Sequence, residues 1–90
     1  MTYGVTGTLV PDATCNYHYV GMHEGKQAYR RLDGAYHIYW IEISARWYIS
    51  VLLGDPGAAW WDRLDPNPAG LYGPQGTATG NATVIVGEHP

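Results

Sequence analysis

DGAYHIYWIEISARWYISVLLG, from Asp33 to Gly54, is the stretch whose reading decides the fold. It opens on Asp-Gly, a dipeptide that readily takes the positive φ angles of a tight turn. Two runs rich in aromatic and β-branched residues follow, Ala35–Ile41 and Arg46–Leu53, split by a short break at Glu42–Ala45. In the first run Tyr36, Ile38 and Trp40 share one face of a strand, and His37, Tyr39 and Ile41 share the other. In the second, Trp47, Ile49 and Val51 alternate with Tyr48, Ser50 and Leu52. Both faces carry large side chains, so the hairpin is expected to be central and at least partly covered on both sides. It reads as the spine of a small antiparallel β domain.

Working outward, Thr2–Val10 is rich in Thr, Val and Gly and reads as a first strand ended by Pro11-Asp12. Asn16–Val20 alternates and reads as a second strand, His23–Lys26 as a turn, and Gln27–Leu32 as a third strand. Gly54–Gly57 (GDPG) is a strong turn signal. Ala58–Leu64 reads as a sixth strand, or as one turn of helix. If it is a strand, the adjacent Trp60 and Trp61 point to opposite faces. Asp65–Gly76 packs three Pro and three Gly into twelve residues, which predicts an irregular loop fixed by proline. Thr77–Val86 reads as the last strand. Val5–Val10 echoes Ala78–Val84 weakly, which makes these two segments plausible sheet partners that would bring the ends of the chain together. Strands at this spacing are the signature of a small sandwich or barrel. The expected fold is therefore all-β: one domain over residues 1–90, an antiparallel sandwich or partly open barrel of six to seven strands.

Composition narrows the function classes. Only 14% of the 90 residues are charged, against about 25% in a typical soluble domain. Eight Tyr and four Trp with no Phe put the buried area into rings that carry polar tips. A net charge of −3 and five basic residues, of which only Arg30 and Arg31 adjoin, leave no stripe for tracking phosphates, so no nucleic-acid partner is expected. The longest apolar-looking stretch alternates and contains His37, Glu42 and Arg46, so no membrane span is expected. No apolar leader with a cleavage site is visible at the N-terminus, so no export is expected, and the sequon Asn81-Ala82-Thr83 reads as coincidence. Cys15 is alone and cannot form an intrachain disulfide.

Three chemistries are open to these residues. Cys15, His18, His23 and Glu24 lie within ten residues, with His37 able to approach across the sheet, but C-x2-H-x4-H is a loose spacing for zinc and lacks a second paired cluster. A nucleophilic Cys15 with His18 or His37 as base needs a concave site and a third, orienting group. Ninety residues of sheet leave little room for one, and Cys15 reads instead as a partly buried structural thiol. No cofactor, metal or catalytic residue is therefore assigned. The third chemistry is sugar stacking on Trp40, Trp47, Trp60, Trp61, Tyr36, Tyr39, Tyr48 and Tyr72. Against it, a chain without Phe must build its core from these same rings.

The landmarks Asn16-Tyr17, Gly25-Lys26, Tyr29-Arg30-Arg31, Asp33-Gly34, Tyr39-Trp40, Trp47, Ile49-Ser50, Trp61, Gly70, Tyr72, Pro74 and Ala78-Thr79-Gly80 carry a resemblance over nearly the whole chain. Their order resembles a small aromatic- and glycine-rich β domain of tailed-bacteriophage structural proteins and of multidomain proteins from environmental bacteria. The resemblance implies a virion component, a capsid decoration or cement protein or a tail component, assembled in the bacterial host cytoplasm. Two positions depart from that pattern. The hairpin tip Ile41–Ala45 is apolar at Ile43 where the family is polar, and Cys15 stands where Gly or Asn is expected. The reading that follows is a non-enzymatic structural subunit that docks on other virion proteins, and on further copies of itself. Its interface residues are expected to be Ile43, one of Trp60 and Trp61, and Leu71 and Tyr72, apolar anchors of the kind interfaces favour, the alternative for Leu71 and Tyr72 being that they fold back to plug one end of the sheet. The alternative is a carbohydrate-binding module that uses exposed Trp and Tyr.

Overall fold

The computed structural model describes residues 2–87. Eight strands follow in order: β1 (Thr2–Thr6), β2 (Cys15–His23), β3 (Lys26–Arg31), β4 (His37–Ile41), β5 (Arg46–Ser50), β6 (Ala59–Arg63), β7 (Gly70–Gly76) and β8 (Ala82–Val86). Each pairs antiparallel with the next, and β8 returns to β1, so the sheet closes into an up-and-down barrel. No described residue is helical. The all-β, antiparallel expectation holds. The sandwich or partly open barrel of six to seven strands is corrected to a closed barrel of eight, for two physical reasons.

The first reason is β7. Gly70–Gly76 lies inside the segment read as irregular loop, yet it pairs with both β6 and β8. Pro74 falls beyond the last β7–β8 pair, Tyr72↔Ala82, so its missing N–H removes no bond on that side. Only residues 64–69 remain as the loop, held by Asp65 and Asn67 side chains that accept the N–H groups of Asn67 and Ala69. The second reason is closure. Tyr3↔Val86, Gly4↔Ile85, Val5↔Val84 and Thr6↔Thr83 zip the two ends of the chain together, as the weak echo between them implied.

The spine behaves as its alternation dictates. β4 and β5 pair from His37↔Ser50 to Ile41↔Arg46, and Glu42–Ala45 is the turn, with Ala45 at φ 52°. Ile38, Trp40, Trp47 and Ile49 point inward and are buried. Trp61, Tyr3, Tyr17, Tyr29, Tyr72, Val5 and Val84 complete the interior. Eight strands leave a lumen just wide enough for side chains to fill, and rings fill this one.

Five interior rings place a polar tip at a barrel end. At the end carrying the β1–β2 and β7–β8 connections (the upper end), Tyr17 Oη donates to Ala13 O at 2.7 Å and Trp61 Nε1 to Gly80 O at 2.8 Å. At the lower end, Tyr72 Oη donates to Pro68 O at 2.6 Å and Trp47 Nε1 to Pro66 O at 3.1 Å. Trp40 Nε1 donates to Glu42 Oε2 there. Gly80 at φ 84° is required at its turn, since a Cβ would sit 2.0 Å from Thr8 O.

The outside of the spine is covered too. Tyr39 faces outward yet is fully buried, stacked on Tyr48 with ring centroids 5.7 Å apart and with the His23 ring edge-on at 5.6 Å. Its hydroxyl shares a 2.6 Å hydrogen bond with buried Ser50, whose Oγ also lies within reach of the carbonyls of Leu52 and Asp55. That bonding bends the chain at residue 51 and ends β5 short of Leu53.

Trp61→Ala is expected to lower unfolding stability by about 3–5 kcal/mol. Tyr72→Phe removes one hydrogen bond and is expected to cost about 1 kcal/mol. Denaturant titration measures both. Burial pushes Tyr29 and Tyr39 up to about 12 from an ordinary value of 10.0, and Tyr17 and Tyr72 are raised further in the same direction by the same cause. Above pH 10 the unfolded chain releases these protons while the folded chain keeps them. The linked stability is thus complete below the ordinary value and is lost as pH rises through about 12. In an alkaline titration, four of the eight tyrosines should ionise only together with the loss of near-ultraviolet dichroism.

Candidate functional site

The lower end gathers exposed apolar side chains on one side of the barrel. Ile43, at the tip of the β4–β5 turn, is 96% exposed. Ile41 faces outward on β4 opposite Arg46 on β5. Leu64 directly follows the end of β6 and Leu71 is the second residue of β7, so both lie toward the lower end on the strands that follow β5. Leu64 is 64% and Leu71 57% exposed. Ile43, Leu64 and Leu71 with Ile41 therefore form a strip along the lower rim from β4 to β7. Leu64 was missed in the sequence. The signal was present in the outward set Trp60, Asp62, Leu64, which the strand period of two puts on one face.

The five interface candidates separate. Ile43 and Leu71 lie on the strip. Trp60 faces outward on β6, half-buried, two rungs above it. Trp61 and Tyr72 point into the barrel and are fully buried. Neither ring can touch a partner, which corrects their assignment to an outer surface. The cause is the same for both: Tyr72 belongs to a strand rather than to an open loop, and alternation gives Trp61, not Trp60, the inward position.

Among the described residues, hollows open toward both ends of the barrel. The upper one, about 520 Å³, is lined by Asp12, Thr14, Cys15, Arg31, Leu32 and Asp33. Its guanidinium is already engaged. Arg31 forms a two-pronged pair with Asp33 at 2.9 and 2.8 Å, donates to the carbonyls of Asp12 and Thr14, and stacks 4.7 Å from the Tyr36 ring centre. The Arg31 hydrogen bonds, helped by the Ala35 N–H, hold the Asp33 carboxyl down at about 2. The Thr14 hydroxyl and N–H lower Asp12 as well. This is a structural clasp between the β1–β2 and β3–β4 connections. The lower hollow, about 310 Å³, lies among Tyr3, Met22, Lys26, Trp47, Pro66 and Pro68.

The metal and catalytic candidates are dispersed. His18 Nδ1 meets Thr2 Oγ1 at 3.3 Å, His23 Nε2 lies 3.3 Å from Glu24 Oε2, and His37 Nδ1 meets Val51 O at 3.1 Å. Burial lowers the basicity of His37. Among the described residues no three His, Cys, Asp or Glu side chains converge on a point that could hold a metal ion. Cys15 starts β2, and its side chain is exposed rather than partly buried. Its φ is 106°, a backbone setting that favours glycine. Cys15→Gly is therefore expected to raise the melting midpoint, by relief of about 1 kcal/mol of backbone strain, and thermal unfolding of the two proteins under reducing conditions measures it.

No protein-family model matches this chain, and neither the curated proteins nor the solved structures contain a match to it.

Proposed function

We propose that this chain is a non-enzymatic structural subunit that docks on other protein through the lower rim, as an accessory component of a bacteriophage virion. The observation that carries the docking reading is the strip of Ile43, Leu64 and Leu71. Three large aliphatic side chains stand in water at neighbouring positions of a chain with few charges. Such patches are where partners bury surface. Trp60, expected among the anchors, lies outside the strip.

The rest of the barrel supports a passive role. Its interior is occupied by rings, its end loops are pinned by their tips, and its upper hollow is lined by a satisfied ion pair. The virion assignment, capsid decoration or cement protein or tail component, rests on the resemblance of the residue landmarks. A compact domain without disulfides suits assembly in a bacterial cytoplasm. The partners are other virion proteins, or further copies of this chain.

The test is association of the purified chain with the particles of the phage that encodes it, by co-sedimentation, together with light scattering of the free chain. Ile43→Asp and Leu64→Asp should leave the circular dichroism unchanged and weaken association at least about tenfold, or 1.4 kcal/mol. Unchanged association of the double variant removes the lower rim from the interface.

A further inference from the structure

The outward surface of β5, β6 and β7 above the rim has a different character. The Trp60 indole reaches from Asp62 on its own strand toward Gly76 on β7. Its Nε1 donates to Asp62 Oδ2 at 3.2 Å, and the opposite edge of the indole, at Cζ3, comes within 3.2 Å of where a Cβ on Gly76 would stand. Among the described residues no second ring or cation stacks on this indole. Tyr48 faces outward directly across from Asp62, and Gly73 does so from the other side. A methyl group on Gly73 would meet nothing within 4 Å. The sheet surface beside the indole is therefore open and bare.

Asp62 is largely enclosed, its side chain 11% exposed and its Oδ2 already accepting from Trp60, so the polar groups free to turn are its neighbours Arg46 and Gln75. Asp62 Oδ1 is met by Gln75 Nε2 at 3.4 Å and by Arg46 Nη1 at 3.5 Å, both at the long limit for such contacts. Arg46 carries five donors on a side chain that is 38% exposed, and Gln75 is exposed as well. Both can turn toward a ligand without breaking a short bond. The charges of Arg46 and Asp62 cancel, so the face offers donors and acceptors with no net field.

We infer that this face is a binding site for a neutral carbohydrate chain, with the apolar face of a pyranose ring stacked on the Trp60 indole and its hydroxyls bonded to Arg46 and Gln75. A flat ring with polar edges matches a flat indole with polar neighbours. A protein anchor would instead be expected to seek an apolar pocket, and an anionic ligand would meet the Asp62 carboxylate. The site is separate from the lower-rim strip and does not depend on the docking reading.

Tryptophan fluorescence titration with cellohexaose, chitohexaose and maltohexaose tests it. Trp40, Trp47 and Trp61 are buried, Trp47 with an edge on the lower hollow, so the Trp60→Ala variant assigns the signal to Trp60. The expected result is a saturable emission change with at least one probe, with a dissociation constant below about 1 mM. Trp60→Ala should abolish binding as read by calorimetry. Gly73→Val, which adds a side chain that strands favour, should keep the melting midpoint and weaken binding at least about tenfold. Failure of all three probes to saturate by about 10 mM overturns the inference. So does undiminished binding in Gly73→Val, which decides the matter even where Trp60→Ala fails to fold. Ile43→Asp should leave sugar binding unchanged, which keeps this result distinct from that of the docking test.

Discussion

A ring with a hydroxyl or an indole N–H can fill a barrel only if its polar tip finds an acceptor, because an unpaired polar group in a dry interior costs about 1–3 kcal/mol. In this chain, which has no Phe, that constraint governs much of the rest. Tyr17, Trp47, Trp61 and Tyr72 point their tips at backbone carbonyls of the connections between strands. The core and the end loops are thereby one structure. The rings place the loops, and the loops satisfy the rings.

Closure follows from the same economy. Pairing β8 with β1 removes the free edges that an open sheet of this size would expose, and unpaired edges are a liability for a soluble β protein. An argument for assembly based on unprotected strands therefore has no force here. What remains for partners is side-chain surface: aliphatic along the lower rim and at Val10, Leu32 and residues 51–53 of the upper end, aromatic and polar on β5–β7. The lower rim and the β5–β7 face differ in chemistry because Ile43 projects from a turn, while the Trp60 indole is tied back to the sheet by Asp62.

Much of the fold was legible in the sequence. Alternation in residues 35–50 separated the two faces of the hairpin, but Val51, grouped with Trp47 and Ile49, lies past the end of β5 and is exposed; Trp60 and Trp61 separate as the period of two demands. The turn at Glu42–Ala45 and the pairing of the two ends were also readable. What misled was composition: three Pro and three Gly in residues 65–76 look incompatible with a paired strand, yet Pro74 sits where the β8 ladder has already ended. Reading that segment as loop cost one strand and with it the closed barrel, and it left Tyr72 looking like a surface anchor. The outer surface was harder to see. Leu64 and Asp62 gain their meaning only from neighbours on β5 and β7, which are distant in sequence and fixed by register. The positive φ at Cys15 has no local signature at all, apart from the expectation that Gly or Asn should stand there.

The hydrogen bond from Gly87 N to Thr2 O, at 2.9 Å, belongs to the seam that closes the barrel. It leaves the two extremities of the described chain side by side. A short linker could join them, and the backbone could be reopened at the Glu24-Gly25 turn without cutting any ladder, giving a circularly permuted barrel with its strand neighbours unchanged. The order in which this chain is threaded is therefore one of several that the same cylinder of rings would accept.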